Sequence, residues 1–180
     1  MASSSLPVTS VSSNDGVDSR VQTTIETVHW DALSSLACKL LQVDSSHWGD
    51  HLSGARNLVR FLHLHDADNT ILVARVPLKS EDVTAPYDHG ISQRIASEVA
   101  TMQYVESHTN IPVPHIHHHS PTAEGSVGSP YILMSYADGV PLSTIWEKMD
   151  NEKCHNVLQQ AVHILLELWS HCFDKKGVLF

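Results

Sequence analysis

Between Thr70 and Val76 the chain reads TILVARV, a run so rich in apolar and β-branched residues that it belongs inside a sheet, yet it carries one cation, Arg75. A charge in a buried strand is costly unless an anion meets it, and nothing within this strand can do so. The fold therefore has to bring a carboxylate from elsewhere. Glu98 is the natural partner, because it stands among Ile95, Val99 and Met102, whose spacing marks a helix from Ile91 to about His108. Such a pair would leave Arg75 able to touch a phosphate.

The neighbouring segments place that strand. Leu58 to Leu64 reads as a short strand, and Asp66, Ala67, Asp68 and Asn69 supply a turn, so the two runs form a hairpin. Ahead of it, Trp30, Leu33, Leu36, Ala37, Leu40 and Leu41 recur on one face of a helix spanning about His29 to Val43. Asp88 or Ser92 would cap the Glu98 helix, and IPVP at Ile111 to Pro114 ends it. A second hairpin follows, closed by a Gly/Ser/Pro loop from Pro121 to Pro130 and the strand Tyr131 to Met134. Beyond Asp138 and Gly139 the pattern is helical, with a short helix from Leu142 to Met149 and a long one from Glu152 to Phe173 whose Val157, Leu158, Ala161, Ile164, Leu165, Leu168 and Trp169 make an apolar stripe. This order predicts an α+β fold with an antiparallel sheet and one helix packed on it.

Charge narrows the partners. Eleven basic against twenty acidic residues give a net charge of -9, which disfavours nucleic acid and anionic membranes. No run reaches the length of a membrane span, and three widely spaced cysteines fit reduced thiols, so a cytoplasmic protein is expected. Met1 to Thr24 reads as a disordered tail; its basic content is too low for a mitochondrial transit peptide. Two clusters invite a metal reading. His65 with Asp66 and Asp68 is better explained by the turn, and His115, His117, His118 and His119 by a solvated strand and loop edge, although alternation would put the first, second and fourth on one side.

The wording of NLVRFLHL, VARVP, SEVATMQYV, IPVP, PYILMSYADGVPL and FDKKG, in that order, resembles the phosphotransferase family that includes aminoglycoside phosphotransferases and choline kinase relatives, especially its fungal branch. The resemblance implies a protein-kinase-like N-terminal lobe at residues 25–137, with about five antiparallel strands and one packed helix, followed at 138–180 by a hinge and the first helices of a truncated C-lobe. It implies ATP as cofactor, with magnesium in an intact member, and a small-molecule phosphate acceptor. By the same resemblance, Ser53, Gly54, Ala55, Arg56 and Asn57 form the loop over the phosphates, Arg75 is the phosphate-contacting strand cation and Glu98 its helix partner. Met134, Ser135, Tyr136 and Ala137 form the linker that holds adenine, and Gly139 ends it. Two features depart from the pattern: the phosphate loop has one glycine, and arginine stands where lysine is usual, a planar fork in place of an ammonium. The family's HGDxxxxN loop and later acidic metal motif do not occur between Met1 and Phe180, so no catalytic residue is assigned and the chain alone is expected to be inactive. The alternative is a non-catalytic, pseudokinase-like module. The apolar stripe of the last helix is expected to promote self-association.

Overall fold

The structure is a computed structural model and describes residues 19–82, 84, 86–87, 89–173, 177 and 179. Five strands make one antiparallel sheet: β1 (Ser46–Ser53), β2 (Asn57–Leu64), β3 (Ile71–Pro77), β4 (Ile116–Ser120) and β5 (Tyr131–Ser135). Their order across the sheet is β1-β2-β3-β5-β4. Strand β5 lies inside the sheet, and its first four residues are all buried because both faces are covered. Tyr131 and Leu133 point to one core, Ile132 and Met134 to the other.

Helices cover the two faces. On one side α1 (Ser19–Thr27) and α2 (Trp30–Leu41) contribute Val21, Trp30, Leu33 and Ala37 to a core with Leu58, Leu62, Leu64, Leu72, Ala74 and Val76. On the other, α3 (His89–His108) packs Ile95 and Val99 against Ile116, Ile132 and Met134, with Val73 and Met102 at the margin. The expected single helix layer is therefore two. A strand that is apolar on alternate residues and half-apolar on the rest has two faces to cover, and α2 takes the one α3 cannot.

Residues 19–24, read from sequence as tail, belong to α1, where the buried Thr24 hydroxyl donates to the Arg20 carbonyl and accepts from the Lys79 amide at 2.8 Å. Residues 1–18 of that expected tail lie outside the described residues. The Asp66–Asn69 turn forms as read: Asp66 Oδ1 accepts from the Thr70 amide at 2.8 Å, and Asn69 adopts φ 52°. Of the two caps expected for α3, Ser92 lies inside the helix and Asp88 lies outside the described residues.

After β5 come α4 (Leu142–Ile145), a 3-10 turn at Trp146–Lys148 and α5 (Asn151–Ser170), which Asp150 caps by accepting from the Lys153 amide at 2.8 Å. No residue of α5 is buried. Among the described residues no helix is long and apolar enough to cross a membrane.

Candidate functional site

Period-two alternation carries Arg75 to the α3 side of the sheet together with Val73. Register puts Val59 of β2 and Ile132 of β5 on either side of Arg75, and Phe61 and Met134 on either side of Val73. One face thus presents a cation at one end of an apolar wall formed by Val59, Phe61, Val73 and Met134. Across from the cation, Glu98 of α3 makes an ion pair with Arg75 through Nη2 and Oε1. Both side chains are only partly exposed, 23% and 38%, and Nη2 itself is sealed from solvent without a well-angled hydrogen bond. The pairing deduced from the strand cation is present.

Ser53 closes β1 and Asn57 opens β2, so Ser53 to Asn57 form the tip of a hairpin on the sheet that holds Arg75. The Gly54 amide donates to the Asn57 carbonyl at 2.9 Å, and the Leu78 amide donates to the Arg56 carbonyl at 2.9 Å, which fixes the base of the tip. Ser53 through Arg56 are exposed.

Met134 and Ser135 end β5, and the chain leaves through Tyr136 and Ala137. This exit is held on both sides: the Tyr136 amide donates to the Ile71 carbonyl at 3.2 Å, the Ser135 amide donates to the His115 carbonyl at 2.8 Å, and the His115 amide donates to the Ser135 hydroxyl at 2.9 Å. Tyr136 meets Phe61 edge-on, ring centres 5.9 Å apart, which continues the apolar wall to the exit. Gly139 has φ 154°, a backbone shape that side chains resist, so the segment turns towards α4 there.

The wall residues Val59, Phe61 and Val73 were not singled out from sequence. Their signal was the alternation of NLVRFLHL and ILVARVP, which states a face only once the register is known.

The histidine run behaves differently from simple alternation. A register shift between Ile116 and His118 breaks the period, so His119 sits opposite Ile132 while His118 turns to the other side and meets the Tyr131 hydroxyl at 2.9 Å. His115 and His117 meet edge-on at 4.9 Å, and His115 Nδ1 contacts Glu106 Oε1 at 2.6 Å, so a carboxylate is closer than the sequence indicated. Burial lowers the pKa of His117, with His115 adding to that and Glu106 opposing it; burial and then His118 lower that of His119. Among the described residues no group of three His, Cys, Asp or Glu side chains is arranged to hold a metal ion. An open depression of about 500 Å³ lies elsewhere, between α2 and β1, lined by Ser34, Cys38, Lys39 and Ser46, and holds none of the site residues.

No family model matches the chain. Among curated proteins it is 32% identical over 85 residues to a subtelomeric hrmA-associated cluster protein of Aspergillus fumigatus, covering 47% of this chain and 17% of that one. It is 33% identical over 111 residues to the altered inheritance of mitochondria protein 9, mitochondrial, of Meyerozyma guilliermondii, covering 61% of this chain and 17% of that one. A protein with the same description in Clavispora lusitaniae is 29% identical over 120 residues, covering 63% of this chain and 19% of that one. The chain therefore spans about a fifth or less of the length of these relatives. Among solved structures, a Thermobifida fusca protein assigned as a fructosamine-3-kinase shares 16% identity at a TM-score of 0.36, covering 60% of this chain and 33% of that one. The fold described above rests on strand order and packing.

Proposed function

We propose that the α3-side face of the sheet is a nucleoside triphosphate site, and that the chain is the ATP-binding portion of a kinase-like small-molecule phosphotransferase of the aminoglycoside phosphotransferase type. The observation that carries this is the Arg75–Glu98 pair at one end of an apolar wall. The carboxylate holds the guanidinium in place without using all its donors, and a planar fork of five N–H groups suits phosphate oxygens. The wall of Val59 and Val73 suits the flat face of a base, and the Ala137 amide is the donor left beside it, since those of Ser135 and Tyr136 are taken by the His115 and Ile71 carbonyls. The exposed tip Ser53 to Asn57 is read as the part that closes on phosphates. Magnesium would be held with the phosphates by oxygen donors in an intact family member; none is assigned in this chain, and neither is a group that activates the acceptor.

Titration of the chain with a fluorescent ATP analogue in the presence of magnesium tests the reading. Binding that unlabelled ATP competes away is expected, and Arg75→Met should weaken it by about 10- to 100-fold, the equivalent of one lost charge-assisted hydrogen bond of roughly 1.5–3 kcal/mol. No competition by ATP, or unchanged affinity in Arg75→Met, refutes the site. The purified chain is expected not to turn ATP over.

A pseudokinase-like module is the second reading, favoured by the single glycine of the exposed hairpin tip. It predicts nucleotide binding without phosphate transfer even when the chain is joined to any further helical part. The compartment has two readings as well: the acidic N-terminal composition favours the cytoplasm, and the word mitochondrial in the relatives' descriptions favours the other. Fractionation of cells expressing the tagged protein separates them.

A further inference from the structure

Three imidazoles meet on the β1–β2 end of the sheet, away from the Arg75–Glu98 pair, and neither the fold nor the proposed nucleotide site uses them. His47 and His63 are direct cross-strand partners whose rings stack at 5.0 Å and 12°. His65, just past β2, brings its ring to 4.9 Å from that of His47. His47 Nδ1 and His65 Nε2 lie 2.8 Å apart, and the other ring nitrogen of His65 is within 2.9 Å of the Ser45 hydroxyl. Whichever ring carries the hydrogen, two nitrogens share one proton between them.

We propose that His47 and His65 form a two-histidine site for a borderline divalent cation such as zinc or copper(II), which takes the place of the shared proton. Two nitrogens each about 2.0–2.1 Å from one zinc ion stand roughly 2.9–3.4 Å apart for bond angles between 90° and tetrahedral, so the pair has to open by a few tenths of an ångström and the rings, which now face each other, have to swing until both lone pairs meet at the ion. Imidazole is the ligand type these cations favour. The Ser45 hydroxyl on the far nitrogen of His65 does what an outer partner does for a metal-bound histidine: it fixes the ring and leaves the near nitrogen's lone pair for the ion. His63 supports the site by stacking and is not a ligand. It can lie there because residue 49 is glycine; a Cβ at that position would stand 2.6 Å from His63 Nε2. Since no three metal-capable side chains converge among the described residues, the remaining coordination positions belong to water or a bound molecule.

The test is a zinc chloride titration of the full chain followed by side-chain nitrogen NMR of its histidines, with isothermal titration of variants beside it. The ring nitrogens of His47 and His65 should shift at the lowest zinc concentrations. Loss of an outer partner alone costs about 10- to 100-fold in affinity, so His65→Gln should weaken the tightest zinc binding by at least about tenfold. His47→Gln should do the same, and either variant suffices if the other fails to fold. His63→Gln and His117→Gln should stay within about twofold of the parent. The proposal is overturned if the tightest zinc is lost on His117→Gln, if His63→Gln matches His65→Gln, or if equimolar zinc leaves the His47 and His65 signals unmoved.

Discussion

Removing the charge of Glu98 should destabilise the fold more than removing Arg75, although the two share one contact. In Glu98→Gln the guanidinium keeps its place, with Nη2 sealed from solvent and its compensating charge gone. A buried polar group stripped of its partner costs about 1–3 kcal/mol, more for a charge, and the 23% exposure of the Arg75 side chain keeps the figure within that range. In Arg75→Met the chain retains an apolar stem of similar length, and the orphaned carboxylate, 38% exposed, is left in contact with water. That variant should cost about 0–1 kcal/mol, the scale of an exposed ion pair. The double variant should resemble Arg75→Met, so the coupling in a double-mutant cycle equals the cost of Glu98→Gln, about 1–3 kcal/mol. Urea unfolding of the four proteins, with unchanged slopes as the check on two-state behaviour, measures all of these. If Glu98→Gln costs no more than Arg75→Met, or the coupling is nil, the carboxylate does not hold the cation in place.

Three further outcomes are expected. Arg60 lies 4.9 Å from the Trp30 ring centre and 5.2 Å from that of Trp48, joining α2 to the sheet, and burial pulls its pKa down; Arg60→Ala should lower stability by about 1–2 kcal/mol in urea unfolding, and Arg60→Lys should recover only part of it. The lowered pKa values of His117 and His119 mean that the unfolded chain binds protons before the folded one does, so stability is full above about pH 6.5 and falls as pH drops from there towards the folded-state values; His117→Asn with His119→Asn should flatten that fall in melting curves recorded from pH 7.5 to 5. Leu158, Val162, Leu165, Leu166 and Trp169 of α5 are all at least half exposed, so light scattering should show association growing with concentration, and a single monomer throughout would refute that expectation.

What could be read in the sequence was whatever lay in local period or in a local physical conflict. The hairpin of β2 and β3 was legible because Asp66 and Asn69 are turn residues between two apolar runs, and the Arg75–Glu98 pair because a cation in such a run demands an answer. Strand β1 was not legible from its own residues. SHWGDHLS has neither alternation nor β-branching, and at the sheet's edge it pairs on one side only, so β2 supplies the order that its side chains do not. Helix α1 escaped notice because its nine residues bury just Val21 and Thr24, too few to make a period. The wall of the candidate site was hidden for another reason: Val59, Phe61, Val73 and Met134 come from three strands, and their meeting depends on register.

Helix α5 shows where legibility of this kind stops. Its stripe of Val157, Leu158, Ala161, Ile164, Leu165, Leu168 and Trp169 was read from spacing and expected to promote self-association; the helix forms, Trp169 is 82% exposed and nothing covers the stripe among the described residues. The described side-chain ties from its C-terminal end to the sheet layer are polar and aromatic: Glu167 accepts from the Asn110 amide at 2.6 Å, and the Tyr104 hydroxyl meets His171 Nδ1 at 3.0 Å while its ring contacts Phe173. Hydrophobic period tells which face of a helix wants to leave water and says nothing about what removes it, since period is a property of one segment and burial of two. The same α3 that carries Glu98 also carries Tyr104, so whatever covers α5 would be joined, through this end, to the helix that holds Arg75.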